Sequence, residues 1–393
     1  MTGTAKKLGL LATLYFAQGL PYGFFTQALP ALLRDLGLSL PAIGLTSLLA
    51  LPWALKFVWA PAVDRVGTRR RWILALQGGA TVLAVAMAAI DPDAGLTLLL
   101  AGVLVTNLVA ATQDIATDGL AVALLAPRER GLGNGIQVAG YRVGMIVGGG
   151  VLLVAFDRIG WALVLLSMAA LIALSSVPVA LARDLEPRAA PPESGGWDWL
   201  RRPGALSWLA VLCVYKFGDY LAGGMLRPFL VDRGMTLAEL GTMLGVVGFT
   251  AGLLGALAGG ALTNRVGRRR SLVGFGMLQA LGIAGYAAVA ALDLPREAVW
   301  AAATFEHFVG GMAVAALFTL MMDASRPEQA ATDYTLQAST VVIATGAAAA
   351  ISGFGAERFG YDGLFLGAAV LAFAGVALAA SRHLTRITRT EPA

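Results

Sequence analysis

The sequence predicts an all-α membrane protein of twelve transmembrane helices, arranged as two pseudo-symmetric six-helix halves. Three observations carry this. Of the 393 residues, 58% are hydrophobic and only 13% charged, whereas soluble chains carry about 25% charged residues; mean hydropathy is +0.73. Apolar stretches of at least about 18 residues, the length that crosses a bilayer, recur along the whole chain. The two halves also repeat each other at an offset of 200 residues.

The apolar stretches fall at 8–33, 42–63, 72–90, 96–124, 132–156, 161–182, 204–231, 237–263, 271–292, 297–323, 331–355 and 361–381. The first follows Lys6 and Lys7. It is too long for the apolar core of a signal peptide, so it is read as a retained helix. The longest polar segment, "RDLEPRAAPPESGGWDWLRRP", combines proline, glycine and charge between the sixth and seventh stretches. It reads as a cytoplasmic linker at 183–203, which leaves an N-terminal half at 1–182 and a C-terminal half at 204–393.

Charge sorts by loop. With the N-terminus in the cytoplasm, inner loops and tails hold twenty Lys/Arg and outer loops five. That asymmetry is the positive-inside rule, and it sets both termini in the cytoplasm. It also accounts for the net charge of +5 without a nucleic-acid partner. The single cysteine, Cys213, excludes an intrachain disulfide, and the two histidines lack the Cys/His neighbours of a metal site. Neither a phosphate loop nor a dinucleotide fingerprint is present, so no cofactor is expected. A monomer in the lipid bilayer is expected.

The repeat is clearest in two basic loops. "DRVGTRRR" from Asp64 matches "NRVGRRR" from Asn264, aligning Arg65, Gly67, Arg69 and Arg70 with Arg265, Gly267, Arg269 and Arg270; Pro127 and Gln137 likewise meet Pro327 and Gln337. Parallel six-helix repeats of this kind organise major facilitator transporters. "APAVDRVGTRRR" resembles the facilitator signature G-x-x-x-D-R-x-G-R-R, with Ala60 where glycine is usual and Thr68 at one basic position. The second copy keeps Gly260 but has Asn264 in place of the aspartate, and Arg268 opens its basic run. The resemblance implies that these loops help lock the inward face. The plainer alternative is a positive-inside loop alone.

Charges inside the spans point to a site. "TNLVAATQDIATDGLAVALL" places Asp114 and Asp118 four residues apart in an apolar helix, on one face. An ionisable group at the bilayer centre costs about 2.5–3.5 kcal/mol on insertion scales, so it is paired or faces a watery cavity. Counting helical rise from Arg128 puts Asp114 level with Arg142, while Asp118 is shallower, near the level of Lys56. Those are the expected pairs, either as a static clamp or as part of the substrate path. In the second half, Lys216 and Asp219 share a face, and Glu306 and His307 enter from the outer side. Asp219 or Glu306 is expected to carry a proton for coupling; the alternative is that Glu306 merely pairs with Lys216. Tyr15, Gln18, Tyr22, Gln137 and Tyr141 are candidate polar contacts in the cavity, or interhelical contacts.

"LYFAQGLPYGFFTQALPALLRDLGLSLPAIG", "LPWALKFVWAPAVDR", "ATQDIATDG", "GYRVGM" and "YKFGD" together resemble the AmpG-type permeases, a facilitator branch that includes acetyl-CoA transporters. Twelve helices, without the extra C-terminal helices common in muropeptide permeases, and "HFVGGMAVAALFTLMMDASRPEQAATDYTLQAS" are more similar to RhtX/FptX-type permeases. The resemblance implies import of a bulky polar solute, with protons, across a bacterial inner membrane. A siderophore is the first expectation, an anhydro-muropeptide the second and acetyl-CoA the third. An intramembrane enzyme or a channel is disfavoured: no nucleophile or metal constellation stands out, and a channel needs no repeated gating loop.

The topology is testable with single cysteines on a Cys213→Ala background. Cysteines at 69 and 269 should be shielded from an impermeant reagent in whole cells, and cysteines at 35, 93 and 293 accessible. Labelling of 69 or 269 from outside would break the topology.

Overall fold

The computed structural model describes residues 3–35, 46–91, 95–182, 197–381 and 387. Asp93 and most of the linker, including Arg183 and Arg188, lie outside them. The chain is a multi-pass membrane protein, and twelve helical stretches can be followed among the described residues. They are α1 (Thr4–Asp35), α2 (46–65), α3 (Arg69–Ala88), α4 (Leu96–Leu124), α5 (130–159), α6 (161–181), α7 (Ala205–Asp232), α8 (237–266), α9 (Arg268–Ala291), α10 (Arg296–Ala324), α11 (330–359) and α12 (361–380). Helices suit this chain because hydrocarbon offers no hydrogen bonds, so each span must satisfy its own backbone.

The repeat is written into the backbone. Gly67 and Gly267 both have positive φ, 71° and 95°, and so do Gly160 and Gly360, at 75° and 73°. The first pair turns the chain between α2 and α3 and between α8 and α9. The second turns α5 into α6 and α11 into α12. A side chain is strained in this region, so glycine occupies each turn.

Proximity divides the chain into two compact units. The first holds Met1–Ala126, Ala139–Gly196 and Arg326–Thr335; the second holds Pro127–Val138, Trp197–Ser325 and Leu336–Ala393. The first turns of α5 thus belong with the second unit, and those of α11 with the first. In the first unit Leu20, Phe24, Met87, Val103 and Leu165 build one buried cluster, and Leu10, Leu14, Val63, Ile73, Ile115 and Leu120 another. In the second, Leu226, Phe229, Leu230, Ile283 and Phe365 do the same. Large exposed side chains such as Leu174, Leu181 and Phe354 face outward, as lipid contact requires.

Glycine sets the closest approach in the first unit. A Cβ on Gly19 would collide with the Tyr141 carbonyl oxygen, one on Gly144 with that of Phe16, and one on Gly148 with that of Leu20. Glycines 19 and 23 on α1, and 140, 144 and 148 on α5, are spaced by four, the small-xxx-small pattern that lets two backbones touch. The linker re-enters in the second unit through Trp199, which is fully buried. Its indole N–H donates to the Ala324 carbonyl at 3.0 Å, and Arg202 donates to the same oxygen at 2.7 Å.

Gly144→Ala and Gly148→Ala should each cost about 1–3 kcal/mol through overpacking, read as a lower melting temperature in detergent. Gly78→Ala, where a Cβ meets nothing within 4 Å, should be neutral or slightly stabilising. Equal effects at all three positions would refute the seam.

Candidate functional site

Each unit carries, within its spans, a buried charge cluster anchored by a lysine at a helix interruption. In α2, a short α segment (Leu51–Leu55) gives way to a 3₁₀ turn (Lys56–Val58). In α7, Ala205–Tyr215 and Phe217–Asp232 meet at Lys216, with φ −104° and ψ 0°. Both lysines are buried, 2% and 3% exposed.

In the first unit Lys56 forms an ion pair with Asp114, and the Tyr15 hydroxyl donates to Asp118 at 2.8 Å. This corrects the expected pairing of Lys56 with Asp118. The three-residue 3₁₀ turn at Lys56 lengthens α2 by only about 1.5 Å, and the flexible four-carbon stem of the lysine carries its ammonium to Asp114. Arg142 stands half-buried on α5. Gln18 is buried against a cavity of about 20 Å³ that it shares with Gln113 and Thr106, a volume that suits a single water. Gln137 is buried on α5.

In the second unit the Lys216 ammonium pairs with Asp219 at 2.5 Å and donates to Gln279 Oε1 at 2.8 Å. Gln279 Nε2 then donates to Glu306 Oε1 at 2.9 Å, and the Tyr286 hydroxyl to Glu306 Oε2 at 3.4 Å. Lys216 and Glu306 therefore do not pair directly, as one expectation had it; an amide spans the gap. His307 Nδ1 lies 2.9 Å from the Ala303 carbonyl and 3.3 Å from Glu306 Oε2. A carbonyl only accepts, so Nδ1 carries the hydrogen of the neutral ring. The other edge of the imidazole packs against Gly248, where a Cβ would stand 2.8 Å from Cδ2.

The two basic loops each grip the start of a distant helix. In the first unit Asp64 accepts from the backbone N–H groups of Ala331 and Thr332, at 3.2 and 2.7 Å, and from the Thr332 hydroxyl at 2.7 Å. Arg69 bridges Asp64, at 2.8 Å, to the Pro327 carbonyl at 3.4 Å. A carboxylate on the open N–H groups of a helix start is a charge-assisted cap, favoured by the dipole. In the second unit Asn264 donates to the Arg128 carbonyl at 2.8 Å, and Arg268 reaches Asn264, Asp323 and the Pro127 carbonyl. Asp323 also holds Arg130 at 2.9 Å. The charge missing at Asn264 is thus supplied by Asp323.

These contacts shift the loop alignment by one residue. Arg69 and Arg268 reach Pro327 and Pro127. Arg70 and Arg269 reach the last turns of α6 and α12, at Ala180 and Ala380. Thr68 is the extra residue: it N-caps α3, accepting from Arg71 N at 3.2 Å, whereas Gly267 itself N-caps α9. Arg65 and Arg265 are exposed.

Sequence reasoning passed over Gln279, Tyr286, Trp53, Asn107 and Arg130 as site residues. Gln279 and Asn107 had a readable signal, an amide side chain in an apolar span. The others look like ordinary packing or loop residues until their neighbours are known.

The Lys56–Asp114 pair predicts a non-additive cycle. Lys56→Met and Asp114→Asn should each destabilise by roughly 3–5 kcal/mol, because each strands a buried charge. The double variant should recover much of the loss in thermal stability; additive damage would exclude a direct pair.

The chain is 31% identical over 386 residues to the anhydromuropeptide permease of Escherichia coli strain K12, covering 94% of this chain and 78% of that one. Its fold is similar to that of the transporter FucP in the outward conformation, with TM-score 0.75, 14% identity and coverage of 95% and 98%. It is also similar to the human organic anion transporter MFSD10, with TM-score 0.72, 15% identity and coverage of 96% and 100%. Residues 11–348, and again 213–392, match the Major Facilitator Superfamily. With the glycine-turned repeat and a basic loop in each half, these matches make the chain a secondary transporter belonging to the Major Facilitator Superfamily.

Proposed function

We propose that the protein is a proton-coupled importer of a sugar–peptide solute of the anhydromuropeptide type, working by alternating access in a bacterial inner membrane with both termini in the cytoplasm. The observation that carries the substrate is the 31% identity to an anhydromuropeptide permease across 94% of the chain. That support moves the reading away from the siderophore expected first, and nothing in the charge clusters favours a siderophore over a muropeptide. An amphoteric solute suits a protein that offers Lys56 and Asp114 in one unit and Lys216, Asp219 and Glu306 in the other.

Charge counting supports proton coupling. In the second cluster Lys216 faces two carboxylates, Asp219 directly and Glu306 through Gln279. One negative charge is left over in a site where an uncompensated charge is costly. A proton on the Glu306–His307 pair cancels it. Because the neutral imidazole carries hydrogen at Nδ1, the added proton enters at Nε2 and leaves an imidazolium beside Glu306. Proton arrival and loss would then bias the two states of the carrier. Asp64 and Asp323, which hold the starts of α11 and α5, are the contacts that must break when the inward face opens.

Proteoliposomes loaded at high internal pH should accumulate labelled anhydromuropeptide, and a protonophore should abolish accumulation. Glu306→Gln should retain counterflow and lose uphill uptake. Uptake indifferent to the proton gradient would remove the coupling. In cells, the gene should restore muropeptide recycling to a permease deletion; rescue of iron-limited growth in a siderophore-permease deletion, without rescue of recycling, would reinstate the siderophore.

A further inference from the structure

The first unit holds an aromatic cluster that the charge network does not explain. Tyr22 on α1 and Tyr141 on α5 have ring centroids 5.7 Å apart with planes at 49°, and Trp53 on α2 meets Tyr22 edge-on at 5.9 Å and 76°. The glycine seam forces the first contact: Gly19 lies against the Tyr141 backbone and Gly23 against that of Met145, so the two tyrosines stand side by side. Trp53 is held from two sides. Its indole N–H donates to Asn107 Oδ1 at 3.0 Å, and the Lys56 ammonium sits 5.6 Å from its ring centroid.

The position of the cluster separates it from lipid contact. The outward face of α2 is made by Leu48, Leu51, Leu55 and Val58, 45–59% exposed. Trp53 turns instead toward α1 and α4, beside the buried Lys56–Asp114 pair. All three rings stay half-buried, so each keeps accessible surface, and that of Trp53 lies beside the Lys56 ammonium and the Asn107 amide. Packing alone would not call for that combination.

An aromatic face carries negative charge density and so attracts the weakly polarised C–H groups on one face of a pyranose. The ring's hydroxyl and amide edges need donors and acceptors around that face, and Asn107, Lys56 and Asp114 supply both. We propose that Tyr22, Trp53 and Tyr141 form a sugar-stacking subsite. It takes a pyranose ring of the solute, while its peptide charges are met elsewhere. This rests on the sugar–peptide reading above; a binding site for an aromatic peptide side chain is the competing use of the same rings.

The test uses the full-length protein in detergent and two probes. One is the peptide-free disaccharide of N-acetylglucosamine and anhydro-N-acetylmuramic acid; the other is the sugar-free stem peptide. Affinities are measured by calorimetry for the wild type, Trp53→Leu, Tyr22→Leu and Trp53→Phe, each first shown to be folded by its melting transition. Either leucine variant should weaken disaccharide binding by about tenfold or more and leave the stem peptide unchanged, and Trp53→Phe should retain most of the affinity. If Trp53→Leu does not fold, Tyr22→Leu alone decides. Disaccharide binding that is the same in a folded leucine variant as in the wild type would overturn the subsite. So would loss confined to a stem peptide bearing an aromatic side chain. Uptake of intact muropeptide by the wild type in proteoliposomes is scored separately. Uptake without ring dependence sinks the subsite and spares the transport reading; ring-dependent disaccharide binding without uptake does the reverse.

Discussion

A charge taken into hydrocarbon must bring its own partner, and most of the interior arrangement follows from that. Lys56 and Asp114 compensate each other across α2 and α4. Asp118, 2% exposed, accepts from Tyr15. Lys216 divides its donors between Asp219 and Gln279. Each lysine sits where its helix is interrupted, so the backbone yields at the positions that carry charge. Breaking such a pair costs far more than replacing both members, which is why these residues constrain the helices around them so strongly.

The two basic loops obey the same rule at the membrane edge with different parts. In the first, a carboxylate on Asp64 caps α11 directly. In the second, Asn264 is neutral and the negative charge comes from Asp323 at the end of α10, where it holds both Arg130 and Arg268. Trp199 and Arg202 fasten the returning linker to Ala324, one residue further on. The repeat has kept the task of gripping a helix start while moving the acid from one element to another. On the proposed reading, these grips are the contacts made in one state of the carrier and released in the other.

Much of this was legible in the sequence. The twelve spans followed from hydropathy, and the loop glycines Gly67 and Gly267 were visible as a repeat. Asp114, Asp118, Lys216 and Glu306 announced themselves as charges in apolar stretches. Their partners did not, because backbone depth does not say how far a long flexible side chain such as Lys56 reaches, nor which amide stands between two charges. The loop alignment was one residue out, because Thr68 acts as an N-cap that the second copy replaces with Gly267. Gln279 was visible as an amide in an apolar span, but nothing in the sequence marked it as the link between Lys216 and Glu306. Tyr22 and Tyr141 meet where glycines bring α1 against α5, a contact between distant positions that local pattern does not encode.

On the proposed coupling, the second cluster offsets its surplus negative charge with a proton at His307, next to Glu306. The chain has two histidines, so nitrogen-15 imidazole spectra with His383→Asn isolate the signal of His307. The ring should be neutral with its hydrogen on Nδ1 in the proton-free protein. It should convert to the doubly protonated form within the pH range that drives uptake, and Glu306→Gln should lose that conversion. A ring that carries its hydrogen on Nε2, or one that stays neutral across that range, would contradict the coupling.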